Sequence, residues 1–300
     1  MYRPKTTLEQ WRILQAVVDH GGYAQAAQAL NKSQSSLNHA VSKLQVQLGV
    51  QLLHVVGRKA QLSEAGEVML RRSRDLTQHV ESLEQLAINL RQDWEPEITI
   101  CVDLAYPREA LLPVLKQFQT QSRGSRLKII DTVLTGSAEA VSHKKADLVI
   151  LMHVPKGHLG EPLQTVDFVL VCHPLHELAN ATAPLDPNAL AQHLQIVIKD
   201  TSQSPHEASG WLKSENRWTV SQFDTAVSLL MEQIGFCWLP KHVAATYIHN
   251  GSLIKLKVKG GEFSRTTAYL VCPNPDEVGP GTQMLADLIL QNRKIEAPSF

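Results

Sequence analysis

The sequence predicts an α/β chain in two parts, a small helical N-terminal region and a larger region of alternating strands and helices. Three observations predict it. Most of residues 8–91 carries apolar side chains at steps of three and four, the helical period. Residues 98–271 alternate short Val/Ile/Leu/Cys runs with amphipathic segments, the pattern of an α/β sheet with largely parallel strands. Between them, Asp93-Trp94-Glu95-Pro96 breaks any helix that reaches it.

The N-terminal elements follow in order. Thr7 caps a helix over Leu8–His20, with Leu8, Trp11, Leu14 and Val18 as its buried stripe and Gly21-Gly22 as its stop. Tyr23–Leu30 is a short Ala-rich helix, which lets a neighbour approach closely, and Asn31-Lys32 is a tight turn. Ser33 caps the next helix, through Leu48, in which Leu37, Val41, Leu44 and Leu48 step by four, three and four. Its other face carries Gln34, Ser35, Asn38, His39, Ser42 and Lys43. Alone, that helix is also an ordinary solvated surface helix. Preceded by helix, glycine stop and short helix, it completes a helix-turn-helix, whose amide- and hydroxyl-rich face suits base edges in the major groove.

Gln51–Val56 and Ala60–Leu62 are β-type runs around Gly57-Arg58-Lys59, a two-stranded wing with a basic tip suited to phosphate; the alternative is a hairpin whose charges serve solubility. Ser63 caps a long helix over Glu64–Arg91. Leu76, Val80, Leu83, Ala87, Leu90 and Trp94 step along it by four, three, four, three and four, a short coiled-coil seam for a second copy; the alternative is a helix packed on its own domain.

Beyond residue 96 the sequence predicts strands at Ile98–Val102, Leu127–Val133, Ala146–Met152, Asp167–Cys172, Leu194–Lys199, Trp218–Val220, Phe236–Leu239, Leu253–Val258 and Thr267–Val271. Helices are predicted at Glu109–Gln121, Ser137–His143, Phe223–Gln233, Lys241–Ile248 and Gly279–Arg293.

YAQAAQALNKSQSSLNHAVSKLQVQLGVQLL followed by GRKAQLSEAG resembles the N-terminal domain of LysR-type transcriptional regulators over most of Leu8–Gly66. Ala26-Ala27, Leu30, Ser33-Gln34, Leu44, Leu48-Gly49-Val50, Arg58, Leu62 and Ala65-Gly66 fall where that family places such residues. Where the family usually carries Ser-Arg on the recognition helix this chain has Asn38-His39, and Val55 and Gln61 stand where the wing usually has Arg. Fewer fixed cations imply weaker backbone binding or greater salt sensitivity. Ala146-Asp147-Leu148-Val149-Ile150, His173-Pro174-Leu175 and Gly235-Phe236-Cys237-Trp238-Leu239-Pro240 extend the resemblance to essentially the whole chain.

The resemblance implies an N-terminal winged helix-turn-helix plus long linker helix, then a two-subdomain periplasmic-binding-protein-like effector domain. Residues 1–62 would bind DNA and residues 63–94 would dimerise; residues 97–163 with 268–300 would form effector subdomain I, and residues 164–267 subdomain II. Gln34, Ser35, Asn38 and His39 are the base-reading candidates, and Ser42, Lys43, Arg58 and Lys59 the phosphate candidates. Ligands of open α/β sheets bind beyond strand carboxyl ends and at helix starts. By that rule and the resemblance, the effector candidates are Asp103, Leu104, Ala105, Gly136, Ser137, His153, Thr201, Ser202, Asp224 and Phe236.

The expected partners are double-stranded promoter DNA, a small-molecule effector, further copies of the chain as homodimer or homotetramer, and RNA polymerase. Global charge is silent, with 29 cations against 29 acids. Residues 1–66 carry seven Lys/Arg and three acids, an excess of four. No apolar run approaches the roughly 18 residues a membrane span needs and no apolar leader core appears at the N-terminus, so no membrane is expected and the cytoplasm is the expected location. Cys101, Cys172, Cys237 and Cys272 sit apart in apolar contexts and read as buried free thiols. Among thirteen histidines, His173 and His176, or His153 and His158, are not completed to a ligand set by any neighbouring carboxylate or Cys. With no nucleophile, phosphate-loop or dinucleotide signature either, no catalytic residue, metal or cofactor is expected. Two alternatives remain: a DNA-binding protein that needs no ligand, and a binding protein or enzyme on the same α/β fold.

Overall fold

A computed structural model of the chain describes residues 2–56, 59–203, 214–259 and 264–294. It divides into two compact units, residues 1–89 and 90–300.

In the first unit, α1 (Leu8–Asp19), α2 (Tyr23–Ala29) and α3 (Gln34–Leu48) precede the antiparallel pair β1 (Leu53–Val56) and β2 (Lys59–Leu62), and α4 (Glu64–Arg91) follows. Thr7 and Gln10 form a reciprocal capping box on α1. Leu14, Leu37, Val41, Leu44 and Leu52 are fully buried and, with Ala26, form one core. Burial of each Leu stabilises by about 2 kcal/mol. The Gln45 side chain on α3 accepts from the backbone N–H of Leu52 (2.7 Å) and Leu53 (2.9 Å), fastening the β-pair to the helix. Ser63 Oγ accepts from Gly66 N at 2.9 Å to start α4. A Cβ on Gly66 would meet the Leu52 carbonyl at 2.0 Å, so only glycine allows this approach. Early in α4, Gln15 donates to Ser73 Oγ (3.0 Å) and Arg74 pairs with Asp19. Further along, Leu76, Leu83, Leu86, Ile88 and Leu90 are exposed.

The second unit is built on one mixed sheet, in the order β4-β3-β5-β11-β6-β9-β7-β8, with β10 (Ile254–Lys255) also paired to β6. One half holds β3 (Glu97–Asp103), β4 (Arg126–Thr132) and β5 (Leu148–Leu151), all parallel, with α5 (Arg108–Gln121), α6 (Thr135–Ser142) and α10 (Pro280–Gln291). The other holds β7 (Gln195–Ile198), β8 (Arg217–Val220) and β9 (Phe236–Pro240), also parallel, with α7 (Pro187–Leu190), α8 (Phe223–Met231) and α9 (Lys241–His249). Between them β6 (Glu161–Cys172) and β11 (Ser264–Val271) run antiparallel to each other. Ile98, Ile100, Leu148, Ile150, Leu163 and Leu285 anchor one core, and Val171, Ile196, Leu230 and Leu239 the other.

The expectation of a largely parallel sheet is corrected. Each half is parallel within itself, but four of the eight pairings among the described residues are antiparallel, because β6 and β11 carry the chain across and back. The strand expected over Leu253–Val258 is regular only at Ile254–Lys255. Trp94 also departs from expectation. The helix ends at Arg91 and Asp93 has φ +54°, so Trp94 leaves the seam. It is buried in the second unit, where its indole N–H reaches Ser122 O (3.0 Å) and Ser125 Oγ (2.8 Å) and its ring lies 4.4 Å from the Arg123 guanidinium.

Candidate functional site

Helix α3 is two-faced. Leu37, Val41 and Leu44 are fully buried, whereas Gln34, Ser35, Asn38, His39, Ser42 and Lys43 are all exposed. Ser33 caps the helix, accepting from Ser36 N at 3.2 Å. Ser35 Oγ lies 3.1 Å from Ser33 Oγ. Among the described residues, the side chains of Gln34, Asn38, His39, Ser42 and Lys43 make no hydrogen bond or ion pair within the chain, which leaves their donors and acceptors to an outside partner. Val46, 81% exposed, extends the same face toward the C-terminus of α3. Arg58 lies outside the described residues, as does the side chain of Lys59.

A cavity of about 570 Å³ opens in the second unit between its two halves. Four of the effector candidates, Asp103, Leu104, Ala105 and His153, line it. Ser137 stands behind: it is buried and its hydroxyl donates to Asp103 Oδ2 at 3.0 Å. Ala105 N donates to Asp103 Oδ1 at 2.9 Å. Burial pushes the Asp103 carboxyl up to about 6 against the donors from Ala105, Ser137 and Leu134. Gly136, Thr201 and Ser202 belong to a strap across the halves. Val133 N donates to Thr201 Oγ1 (2.9 Å), Gly136 N to Asp200 Oδ1 (3.1 Å) and Ser202 Oγ to Glu139 Oε2 (2.6 Å). Glu139 is held well down, at about 2, by its hydrogen bonds from Lys145, Ser202 and Gln203.

Two effector candidates lie elsewhere. Phe236 is fully buried, at the amino end of β9, in a core with Leu170 and Leu190. Asp224 is exposed in the first turn of α8 and lies outside the cavity lining. The sequence reading misses Thr135, Ala138, Phe168, Phe223, Trp238 and Thr266, which do line it. Apolar residues at strand and helix ends carry no local mark of facing a cavity. Trp238 had a usable one, since it stands two residues toward the carboxyl end of β9 from Phe236.

Residues 8–67 match the family described as "Bacterial regulatory helix-turn-helix protein, lysR family", and residues 91–294 match the "LysR substrate binding domain". The chain belongs to the LysR family of transcriptional regulators. This LysR-type regulator is 33% identical over 259 residues to the uncharacterized HTH-type transcriptional regulator YeeY of Escherichia coli (strain K12), covering 85% of this chain and 84% of that one. It is 27% identical over 278 residues to the probable HTH-type transcriptional regulator YhaJ of the same strain, covering 91% and 92%. The full-length structure of the Vibrio cholerae virulence activator AphB, a member of the LTTR protein family, superposes with a TM-score of 0.51 at 15% identity, covering 96% of this chain and 100% of that one. Full-length LysG from Corynebacterium glutamicum superposes with a TM-score of 0.51 at 17% identity, covering 96% and 97%. These superpositions establish the fold. The LysR-type regulator is thus a DNA-binding protein with an effector-binding domain. Among the described residues no helix is long and apolar enough to cross a membrane.

Two further groups in this LysR-type regulator bear on chemistry. Cys101, Cys172 and Cys237 are buried free thiols and Cys272 is half-buried; burial pushes Cys172 and Cys237 up to about 12, far from a reactive thiolate. The fold brings His193 to His176 and Glu177, with donor atoms within 4.8 Å. His193 Nδ1 lies 2.7 Å from Glu177 Oε1, an ion pair once the imidazole is protonated. His176 Nδ1 accepts from Leu178 N at 3.2 Å, so its proton stays on Nε2 and neither nitrogen offers a lone pair to a cation.

Proposed function

We propose that α3 enters the major groove of promoter DNA and that Gln34, Ser35, Asn38 and His39 read base edges there. Ser42 and Lys43 hold phosphates, joined by Arg58 and Lys59 from the wing. The observation that carries this is the exposed polar face of α3, on which the Gln34, Asn38, His39, Ser42 and Lys43 side chains have no partner within the described residues, set on a buried apolar back. Asn and Gln offer paired donors and acceptors to adenine, and Lys supplies affinity without sequence information.

Residues 1–62 act as the DNA-binding domain and α4 as the dimerising element, with Leu76, Val80, Leu83, Ala87 and Leu90 facing a second copy. Residues 97–163 with 268–294, and residues 164–267, flank the cleft as two effector subdomains. An effector in the 570 Å³ cavity bridges them and, through repacking of the sensor domains in a homotetramer, shifts the DNA-binding pairs relative to one another and alters contact with RNA polymerase. The chain acts as a regulator and carries no catalytic step.

Hydroxyl-radical footprinting of the full chain on its own upstream DNA tests this. Two protected patches on one face of the duplex, about one helical turn or a multiple of it apart, are expected. Leu83→Asp, which puts charge on the exposed seam, is expected to abolish the paired footprint and yield monomer in sedimentation. Uniform cleavage with wild type at every promoter tried would overturn the reading.

A further inference from the structure

If the cleft holds the effector, as proposed above, its walls restrict what that effector is. A helix start is ordinarily an anion site, because its first backbone N–H groups lack partners and the helix dipole favours negative charge. The start of α6 faces the cavity, with Leu134, Thr135 and Ala138 among the lining residues. Its donors are already taken. Thr135 N donates to Asp200 Oδ2 at 3.2 Å, Gly136 N to Asp200 Oδ1 at 3.1 Å, and the Thr135 hydroxyl also donates to Asp200. Ser202 N fixes the same carboxylate at 2.9 Å. A Cβ on Gly136 would lie 2.0 Å from Thr201 Oγ1, so the absence of a side chain there is what lets residues 200–202 seat this closely.

The rest of the lining points the same way. Asp103 is the one acidic group on it, 4% exposed, and among the described lining residues there is no Lys or Arg. Arg108 is paired with Asp131, and Arg265 with Asp167 at 2.7 Å. An anionic ligand would therefore add a third carboxylate beside Asp103 and Asp200, with no Lys or Arg among the described lining residues and His153 as the one basic side chain there. Trp238 also lines the cavity, although its indole N–H is closed off within the protein. Much of the remaining lining, including Leu104, Val133, Met152, Phe168, Ile196 and Phe223, is apolar, interrupted by His153, Gln195 and Thr266.

We propose that the cleft selects a small, apolar-bodied effector without negative charge, which donates an N–H or O–H to Asp103. The chain's own Asp200 fills the place at α6 that an anionic ligand would take.

The test uses the full chain and matched probes: phenylacetamide, phenethylamine and phenylacetate, and the same three head groups on naphthyl and cyclohexyl bodies, titrated by calorimetry. For at least one body, the amide or amine is expected to bind about tenfold or more tighter than the carboxylate. In Asp200→Ala, or in Asp200→Asn should the first variant not fold, the carboxylate is expected to gain at least about tenfold, because the α6 donors are released or relieved of the fixed charge. Ala138→Phe, which fills the cavity, is expected to abolish binding of every probe. If wild type prefers the carboxylates and Ala138→Phe still blocks them, the charge rule is wrong and the cleft remains the effector site. A folded Asp200 variant with no gain for the carboxylate also overturns the charge rule. If no probe binds, or binding is indifferent to Ala138→Phe, the cleft assignment falls and the charge rule with it.

Discussion

The proposed DNA-reading face and the proposed effector cleft are built in opposite ways. The first lies on one helix: Gln34 to Lys43 share a single capped segment, and every candidate on it is exposed. The second is gathered from segments that lie far apart in the chain, around residues 103, 134, 152, 168, 196, 223, 238 and 266. One helix needs only local periodicity and a core behind it. A cleft between two halves needs crossover strands, a strap and a sheet order, and its properties depend on how residues distant in sequence meet. The first site is therefore local to one helix, and the second joins two halves of the sheet, so a ligand bound there as proposed would touch both.

The comparison breaks most readily at the core behind α3. Leu44→Ala removes a fully buried side chain and is expected to cost about 2–5 kcal/mol, read by urea unfolding of the first unit, with DNA binding lost alongside. A variant as stable as wild type would show that α3 does not depend on that core. Next in size is Asp103 in the cleft. Its carboxyl sits at about 6 when folded against 3.8 as its ordinary value, so folding favours the protonated form. The stability this group contributes is full below about pH 4 and is lost as pH rises through about 6, a change on the order of 3 kcal/mol. Asp103→Asn should flatten that part of the stability profile between pH 4 and 7. An unchanged profile would remove Asp103 as the titrating group.

How much of this was legible in the sequence follows from the same contrast. The stripe Leu37, Val41, Leu44 and the caps at Thr7, Ser33 and Ser63 mark the first unit, and each is a local signal that survives into the structure. Heptad counting carried Trp94 into the seam because spacing alone does not see that the backbone turns at Asp93. In the sheet, apolar runs located the strands, but the direction of β6 and β11 is fixed by pairing, as in Arg265 opposite Asp167, and no run announces its partner. Phe236 is the candidate that position in the sequence suggests, whereas Trp238, two residues along the same strand, lines the cavity, a difference that burial, not composition, decides. Asp200 gave no sign either, since its role comes from α6, some 64 residues earlier. The four-residue helix Pro187–Leu190, started by Asp186, is too short for any period to reveal.

Smaller effects sharpen the DNA-reading side. Lys43→Ala is expected to weaken binding to all DNA alike and to lower the salt slope by about one, since an exposed lysine without an internal partner acts as a single phosphate contact. A loss confined to one sequence would instead make Lys43 a base reader.

The most direct measurement is binding of the full chain to its own upstream DNA and to a scrambled control, across a salt series, with Asn38→Ala beside wild type. Wild type should prefer its own DNA, and Asn38→Ala should narrow that preference by about 1–3 kcal/mol while keeping the salt slope. Equal narrowing of nothing, with Asn38→Ala matching wild type on both DNAs at every salt concentration, would contradict the claim that the exposed face of α3 reads the sequence.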